Sequence, residues 1–357
     1  MSSEEISLDN NRNFMRILVT GGAGYIGSHA ARHLARRGHY VRIYDNLSTG
    51  HRLLAQEFDI VVADISDRTT LLAAMDGIDA IMHFAAHAYV GESVQNPRKY
   101  FDNNVTAALG LLNAVADAQV PYFIFSSSCA IYGVQSEIPI TENTPRNPIN
   151  PYGASKLAFE HALEAYSRAY DLRFVSLRYF NAAGADESSE IGELHDPETH
   201  LIPGVLETAA GLRESVDIYG NDYPTPDGTC VRDYIHVNDL ADAHLQALEY
   251  LGRSGESIAL NLGTGKGHSI LEVISMVEQV TGLPVKRRFC SRRPGDPPIL
   301  VADASQAEKT LQWRSTRSLR CIIGTAWNWM RKDEQAFSGS LTACPVSDVT
   351  TQARFTP

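Results

Sequence analysis

The chain has 357 residues, 44% of them hydrophobic and 20% charged, enough to bury one large core or two fused ones. Its 31 Lys and Arg against 42 Asp and Glu leave a net charge of −11, so it lacks the basic surplus needed to neutralise a nucleic acid or an anionic membrane. No apolar run reaches the ~18 to 20 residues of a membrane span, and residues 1–13 lack the apolar stretch of a secretory signal, so a cytoplasmic protein is expected.

Residues 1–13 are polar and unpatterned and read as a disordered tail. Nearly continuous apolar runs at 15–20, 40–44, 60–63, 80–84, 122–126 and 174–177 predict strands buried on both faces, as in a parallel sheet. Helical patterns lie between them: 28–37 stops at Gly38, 98–118 ends before Pro121, and 152–170 carries apolar positions at helical spacing. This alternation predicts right-handed crossovers and an α/β fold, a Rossmann-type doubly wound parallel sheet over 14–180. Gly, Pro, Asp and Asn then cluster through 181–204 and 220–228, marking 181–332 as a smaller substrate-binding part, with a segment near 232–262 returning to the first domain. Residues 333–357, rich in small and polar types, read as a flexible tail. Cys129, Cys230, Cys290, Cys321 and Cys344 show no CxxC spacing and an odd count, which predicts reduced thiols.

The strongest local signal follows the first strand. Gly21, Gly22, Gly24 and Gly27 satisfy both G-x-G-x-x-G and G-x-x-G-x-x-G, and they open the next helix. Such glycines permit a tight turn, close approach of backbone to a pyrophosphate, and tight helix-on-strand packing, with the helix N-terminus facing the phosphate charge. Asp45 ends the second strand 21 residues after Gly24, where an acid accepts hydrogen bonds from the adenosine ribose and repels a 2′-phosphate. No Arg follows in the loop 45–50, so NAD is preferred over NADP.

Tyr152 and Lys156 stand i, i+4 after Pro151, which puts phenol and ammonium on one helical face. A free tyrosine titrates near pH ~10. A neighbouring cation is expected to lower that value, so that Tyr152 can take a proton from a sugar hydroxyl while the carbon beneath loses hydride to a nicotinamide. Ser126, Ser127 and Ser128 follow the fifth strand at a sheet edge where open α/β folds place their chemistry, and one of them can orient the reacting hydroxyl. His29 and His33 are also spaced i, i+4, but no acid or thiol accompanies them, so a packed or solvated helix face is expected and no metal site.

In order along the chain, TGGAGYIGSH, DNLSTGH, HFAAHAYVGESV, FSSSCAIYG, PYGASK, LRYFNAAGA, YGNDYPTPDGTCVRDYIHVNDLA and RRPGDPP resemble the extended short-chain dehydrogenase/reductases, specifically the UDP-glucose 4-epimerases. That resemblance implies transient oxidation at C4 of a UDP-hexose by bound NAD, turnover of the 4-keto sugar, and return of hydride to its other face. It implies that Tyr152 is the acid/base, that Lys156 steadies it and binds the nicotinamide ribose, and that Ser128 orients the 4-hydroxyl. It puts Tyr25 and Ile26 at the pyrophosphate and Asp45, Asn46, Leu47, Ser48, Thr49 and Gly50 around the adenosine ribose. Asp64 and Ile65 go to the adenine, and Phe84, Ala85, Ala86, Asn103 and Phe180 line the rest of the cofactor. The UDP end falls to Asn181, His200, Leu201, Tyr219, Arg232, Arg293 and Asp296, where two arginines suit a diphosphate and Tyr219 can stack on uracil. The resemblance also implies a homodimer through helices 98–118 and 152–170.

Departures from the family pattern bear on substrate. The segment 134–150 is one residue short and is expected at the surface, Ala88 removes one cofactor contact, and His200 replaces a common Asn and suggests a weak pH dependence. Leu300 matches a pocket wall where a large residue crowds the C2 substituent, so UDP-glucose and UDP-galactose are expected over their N-acetylated counterparts. Cys129 and Ala130 stand where sister dehydratases carry a carboxylate, which favours plain epimerisation. A UDP-xylose/UDP-arabinose 4-epimerase, a UDP-N-acetylhexosamine 4-epimerase, a net dehydrogenase and a silent NAD-binding regulator remain as alternatives.

Overall fold

A computed structural model describes residues 14–253, 255–293 and 296–341. Its strands, in chain order, are β1 (Arg16–Thr20), β2 (Tyr40–Asp45), β3 (Asp59–Val62), β4 (Ala80–His83), β5 (Tyr122–Ser128), β6 (Arg173–Tyr179), β7 (Asn181–Ala183), β8 (Val216–Tyr219), β9 (Val231–His236), β10 (Ile258–Leu262), β11 (Gly267–Ser269), β12 (Arg287–Cys290) and β13 (Ile299–Leu300). The helices are α1 (Tyr25–Arg36), α2 (Arg68–Ala74), α3 (Val90–Gln95), α4 (Pro97–Phe101), α5 (Ala108–Asp117), α6 (Pro151–Ala169), α7 (Leu201–Ala210), α8 (Val237–Gly252), α9 (Ile270–Thr281), α10 (Ser305–Leu311) and α11 (Leu319–Leu341).

Seven strands form one parallel sheet in the order β10-β6-β5-β4-β1-β2-β3. Alternate residues of each strand point to opposite faces. Thus Ile17 and Val19 of β1 join the core shared with Leu34 of α1 and Leu240 and Leu248 of α8. Leu18 between them joins the other core, with Leu71 of α2, Leu111 of α5 and Phe159 of α6. Burying each such aliphatic side chain contributes roughly 1.5 to 3 kcal/mol, which is why these runs read as buried on both faces. The Rossmann-type expectation therefore holds.

The helix expected at 98–118 is interrupted. Between α4 and α5, Asp102–Ala107 forms a wider, π-type turn. The extra residue aims Asn104 inward, where it accepts from the His87 N–H (2.9 Å) and donates to the His87 carbonyl (2.9 Å) and to Ser155 Oγ (3.1 Å).

After β6 the chain crosses to a second sheet, in which β9 pairs with β11, β13 and β7, and to a separate two-stranded sheet of β8 and β12. Val205, Ile218, Val273, Ile274 and Ile322 are among the residues of their shared core. From β9 the chain returns through α8 to β10, which pairs with β6 at the edge of the main sheet. α11 runs nine residues past Lys332, so the tail expected from 333 does not begin there. Lys332, Glu334, Gln335 and Ala336 favour a helix and outweigh the small residues beyond them. Residues 1–13 and 342–357, both read as tails, lie outside the described residues, as does Cys344. The segment 134–150 is largely exposed. No described helix is long and apolar enough to cross a membrane.

Candidate active site

Two segments meet at the carboxyl edge of the main sheet. β5 delivers Ser126, Ser127 and Ser128. Asn150 caps α6 by accepting from the Gly153 N–H (2.9 Å), and α6 then brings Tyr152 and Lys156 alongside. The serines divide their work. Ser126 shares a short hydrogen bond with the Tyr179 hydroxyl, and Ser127 Oγ donates to Glu160 (2.6 Å). Ser128, at the strand end, accepts from the Ala130 N–H (3.2 Å) and lies close enough to the Tyr152 phenol to influence its titration. Lys156 Nζ donates to the Ser126 carbonyl (2.8 Å) and lies 4.9 Å from the Phe125 ring centre and 5.9 Å from that of Tyr152.

The electrostatics of this pair correct the sequence reading, which expects Lys156 to lower the phenol. Burial pushes the Tyr152 phenol up to about 12, opposed only by the neighbouring Ser128 hydroxyl. Burial likewise pushes the Lys156 ammonium down to about 7, opposed by Glu160. Both groups lie in the interior, where loss of water penalises each charged form by more than the neighbour restores. The protein alone holds a neutral phenol beside a readily deprotonated amine.

Next to this trio is a cradle for a dinucleotide. Gly21 has φ +75°, and a Cβ on it would sit 2.5 Å from the Ala85 amide nitrogen. A Cβ on Gly27 would sit 2.3 Å from the Gly21 carbonyl oxygen, so α1 rests directly on the loop. Gly24 starts α1 without a side-chain cap, leaving the first amides, at Tyr25 and Ile26, for an anion's oxygens. Asp45 is buried and accepts from the Ala23 N–H (2.9 Å) and the Leu47 N–H (2.8 Å), which orders the loop running through Asn46, Ser48, Thr49 and Gly50. Asn46 Nδ2 reaches Asp64 (2.7 Å), with Ile65 buried beside it. Donors, small residues and a buried acid at these positions fit an NAD molecule.

Several assigned residues behave otherwise than expected. The Tyr25 side chain turns from the glycine loop and donates to the Gly184 carbonyl (2.6 Å), so only its backbone is available to a pyrophosphate. Asn103 reaches the Ala85 carbonyl only at 3.5 Å, and Phe84 packs on His244. Ala86 is half-buried in the loop after β4. His200 Nδ1 lies 2.8 Å from Glu193 and 3.0 Å from Glu198. Although burial opposes its charge, Glu193 and Glu198 push His200 up to about 10, so the weak pH dependence expected near neutrality is corrected to a constant charge there. His29 is buried on the Tyr25 carbonyl (2.7 Å) and His33 meets Asp242 (3.0 Å), so the i, i+4 pair is packed and engaged.

The residues assigned to UDP fall in two groups and several separate elements. Arg232 on β9 pairs in register with Leu300 on β13 and lies 3.8 Å from Asp296. The Arg293 guanidinium covers the Tyr219 ring at 3.8 Å, so one ring face is taken before any base arrives. Arg232 does not pair with its neighbour Asp233, which is buried and bound by the Thr264, Gly265 and Ala302 amides. Asn181 opens β7 and Leu201 opens α7. Leu300 shares one apolar cluster with Cys129 and Phe180, which places it beside the strand end that bears Ser128.

Sequence reasoning missed Glu160 and Arg178. Arg178 grips Glu160 with two bonds (2.9 and 2.7 Å), both side chains nearly water-free at 4% and 2% exposure, and also donates to Tyr132 (2.9 Å). The available signal was Glu160 one turn beyond Lys156.

A model of the NAD dependent epimerase/dehydratase family matches residues 17–263. A UDP-glucose 4-epimerase from Rhizobium meliloti is 48% identical over 321 residues, 89% of this chain and 98% of that protein. The crystal structure of UDP-glucose 4-epimerase from Brucella ovis in complex with NAD is 50% identical, with a TM-score of 0.86 over 88% of this chain and 98% of that one. UDP-glucose 4-epimerase from Stenotrophomonas maltophila, with bound NAD and formylated UDP-arabinopyranose, is 44% identical, with a TM-score of 0.87 over 90% of this chain and 99% of that one.

Proposed function

The chain belongs to the NAD dependent epimerase/dehydratase family, and from that premise we propose that it is an isomerase, interconverting UDP-glucose and UDP-galactose by epimerisation at C4 with a retained NAD. The observation that carries this reading is Ser128, at the end of β5, beside the buried Tyr152 and Lys156 of α6, with the Lys156 ammonium tied to the same strand through the Ser126 carbonyl.

Bound NAD supplies the acceptor, and on return the donor, of the C4 hydride. Everything else falls to the protein. With its own proton passed to the neutral Lys156 amine, the Tyr152 oxygen takes the 4-hydroxyl proton and gives it back to the opposite epimer, while Ser128 Oγ holds that hydroxyl in place. Lys156 contributes a movable proton next to the phenol rather than a fixed charge. Arg232 and Arg293 clamp the diphosphate. Dehydration would need a second proton carrier. The nearest group, Cys129, has its thiol pushed up to about 12 by burial, and Ala130 carries none. Overall nothing is oxidised.

Leu300 supports a site too tight for a C2 N-acetyl group. A pentose reading, UDP-xylose and UDP-arabinose, is favoured by one observation, the arabinopyranose ligand of the Stenotrophomonas relative. A cytoplasmic homodimer belongs to the same proposal: the four described cysteines are free thiols, as a reducing compartment leaves them, and Phe101 of α4 and Tyr170 beside α6 are exposed apolar residues. A monomeric mass by light scattering at micromolar concentration would refute the dimer.

The test is to incubate purified protein, without added cofactor, with UDP-galactose, UDP-xylose or UDP-N-acetylglucosamine and identify the products. UDP-glucose should form from UDP-galactose with no net NADH, and Tyr152→Phe should slow turnover by roughly 10² to 10⁴ while retaining NAD. Stoichiometric NADH, or full activity in Tyr152→Phe, defeats the proposal.

A further inference from the structure

The loop that leads into α7 reads Glu193, Leu194, His195, Asp196, Pro197, Glu198, Thr199, His200. Glu193, His195, Glu198 and His200 each offer one ligand atom, and these atoms all lie within 4.8 Å of one another. No step of the epimerisation uses them as a group. We propose that these four side chains bind a divalent ion of the zinc class, closing the loop onto the start of α7.

The spacing matches such an ion. With zinc–nitrogen and zinc–oxygen bonds of about 2.0 to 2.1 Å, the edges of a tetrahedron are about 3.3 Å. Three of the six edges are 2.8 Å (His200 Nδ1 to Glu193 Oε1), 3.0 Å (His200 Nδ1 to Glu198 Oε1) and 3.1 Å (His195 Nδ1 to Glu193 Oε1), and His195 Nδ1 lies 3.8 Å from the other Glu198 oxygen.

The bonding pattern asks for a central charge. One proton on His200 Nδ1 cannot point straight at two carboxylates, and Glu193 Oε1 is approached by both imidazoles. A single cation at the centre satisfies all four donors at once. Glu193 and Glu198 side chains are only 7% and 9% exposed, so their charges require compensation inside the protein, which the protonated imidazoles supply until an ion displaces their protons.

The scaffold is fixed in advance. Trp329 Nε1 donates to the Glu193 carbonyl (3.0 Å), and Arg213 donates to the Glu198 carbonyl (3.2 Å). The His200 N–H donates to the Glu198 carboxylate (2.6 Å), and Gly192 has no room for a Cβ, which would lie 2.4 Å from the Trp329 ring. Two imidazoles and two carboxylates suit zinc, and not the six or more oxygens sought by calcium or the octahedron sought by magnesium. Four protein ligands leave no open position, so the ion is structural and takes no part in chemistry at C4.

Tag-free holoenzyme, stripped with a chelator and dialysed, is incubated with zinc chloride, gel-filtered and assayed for metal by mass spectrometry. About one zinc per chain is expected, with a raised melting temperature. His195→Ala and Glu198→Gln should bind zinc roughly 100-fold more weakly and lose the thermal shift. Failure of the parent to retain zinc overturns the proposal, as does equal retention by both variants, which would assign the metal to thiols such as Cys230. Cobalt titration of the parent is independent of whether a variant folds. Intense tetrahedral bands are expected, and the weak spectrum of an octahedral ion refutes the site.

Discussion

Glu160→Gln is the most decisive perturbation of the site's framework. Glu160 sits on α6 one turn past Lys156 and is held by Arg178 twice, by Ser127 (2.6 Å) and more distantly by Arg146 (3.5 Å). The amide keeps the shape but strips the charge, leaving Arg178 buried, charged and facing an N–H group. Breaking a buried pair in this way destabilises by about 3 to 5 kcal/mol. With a urea dependence of about 3 kcal/mol/M, the unfolding midpoint should fall by about 1 to 1.7 M. Glu164→Gln, on the same helix in a partly exposed pair with Arg146 (3.2 Å), serves as control and should cost under about 1 kcal/mol. Catalysis should respond as well. Lys156, held at about 7 by burial, loses the one carboxylate that raises it, so the part of the pH–rate profile set by Lys156 should move to lower pH. Equal midpoints for the two variants, followed by tryptophan fluorescence and circular dichroism, would refute the view that this network holds α6 to the sheet.

Leu300→Ser should raise the rate on UDP-N-acetylglucosamine relative to UDP-galactose while destabilising the apolar cluster around Cys129 and Phe180 by roughly 2 to 5 kcal/mol; unchanged discrimination in a two-substrate assay removes Leu300 from the pocket wall. Gly27→Ala should empty the cradle, because the new methyl would lie 2.3 Å from the Gly21 carbonyl oxygen, whereas Gly110→Ala, with nothing within 4 Å, should be neutral or stabilise α5 by up to about 1 kcal/mol. Chromatographic assay of NAD released from the denatured proteins separates the two, and equal NAD content would sink the reading. Burial lowers His29 and His83 to about 3 and His236 and His244 to about 4. The unfolded chain protonates these residues near 6.5 and the folded one does not, so stability should drop as pH falls from about 6.5 towards 4, by about 1.4 kcal/mol per pH unit for each fully differing proton. Urea midpoints that stay level over that interval contradict it.

The sequence alone yielded what is encoded locally. Gly21 to Gly27, Asp45 and the Tyr152–Lys156 spacing announce themselves because a turn, a strand end and one helical face each involve few neighbouring residues. The strand β10 could be placed only loosely, since its pairing with β6 depends on chain that first visits another sheet. Glu160 and Arg178 escaped because a buried ion pair joins elements with no periodic signature. The sign of the Tyr152 shift was misjudged for a related reason: spacing reveals which charges are neighbours but not how much water each has lost. The interrupted helix at Asn104 escaped because propensity does not register one added residue in a turn.

The strand β10 closes one end of the main sheet only after the polypeptide has gone out through β7 and come back along α8. A single cut at Phe180 would therefore strip the nucleotide half of its outermost rung and of the helix that covers α1, baring Leu34 and an unpaired seven-residue edge ready to stack on copies of itself. The two halves are stitched, not tethered. Swapping whole halves between relatives is thus a poor route to a new sugar preference, and exchange of the short connections around the cleft is the open one.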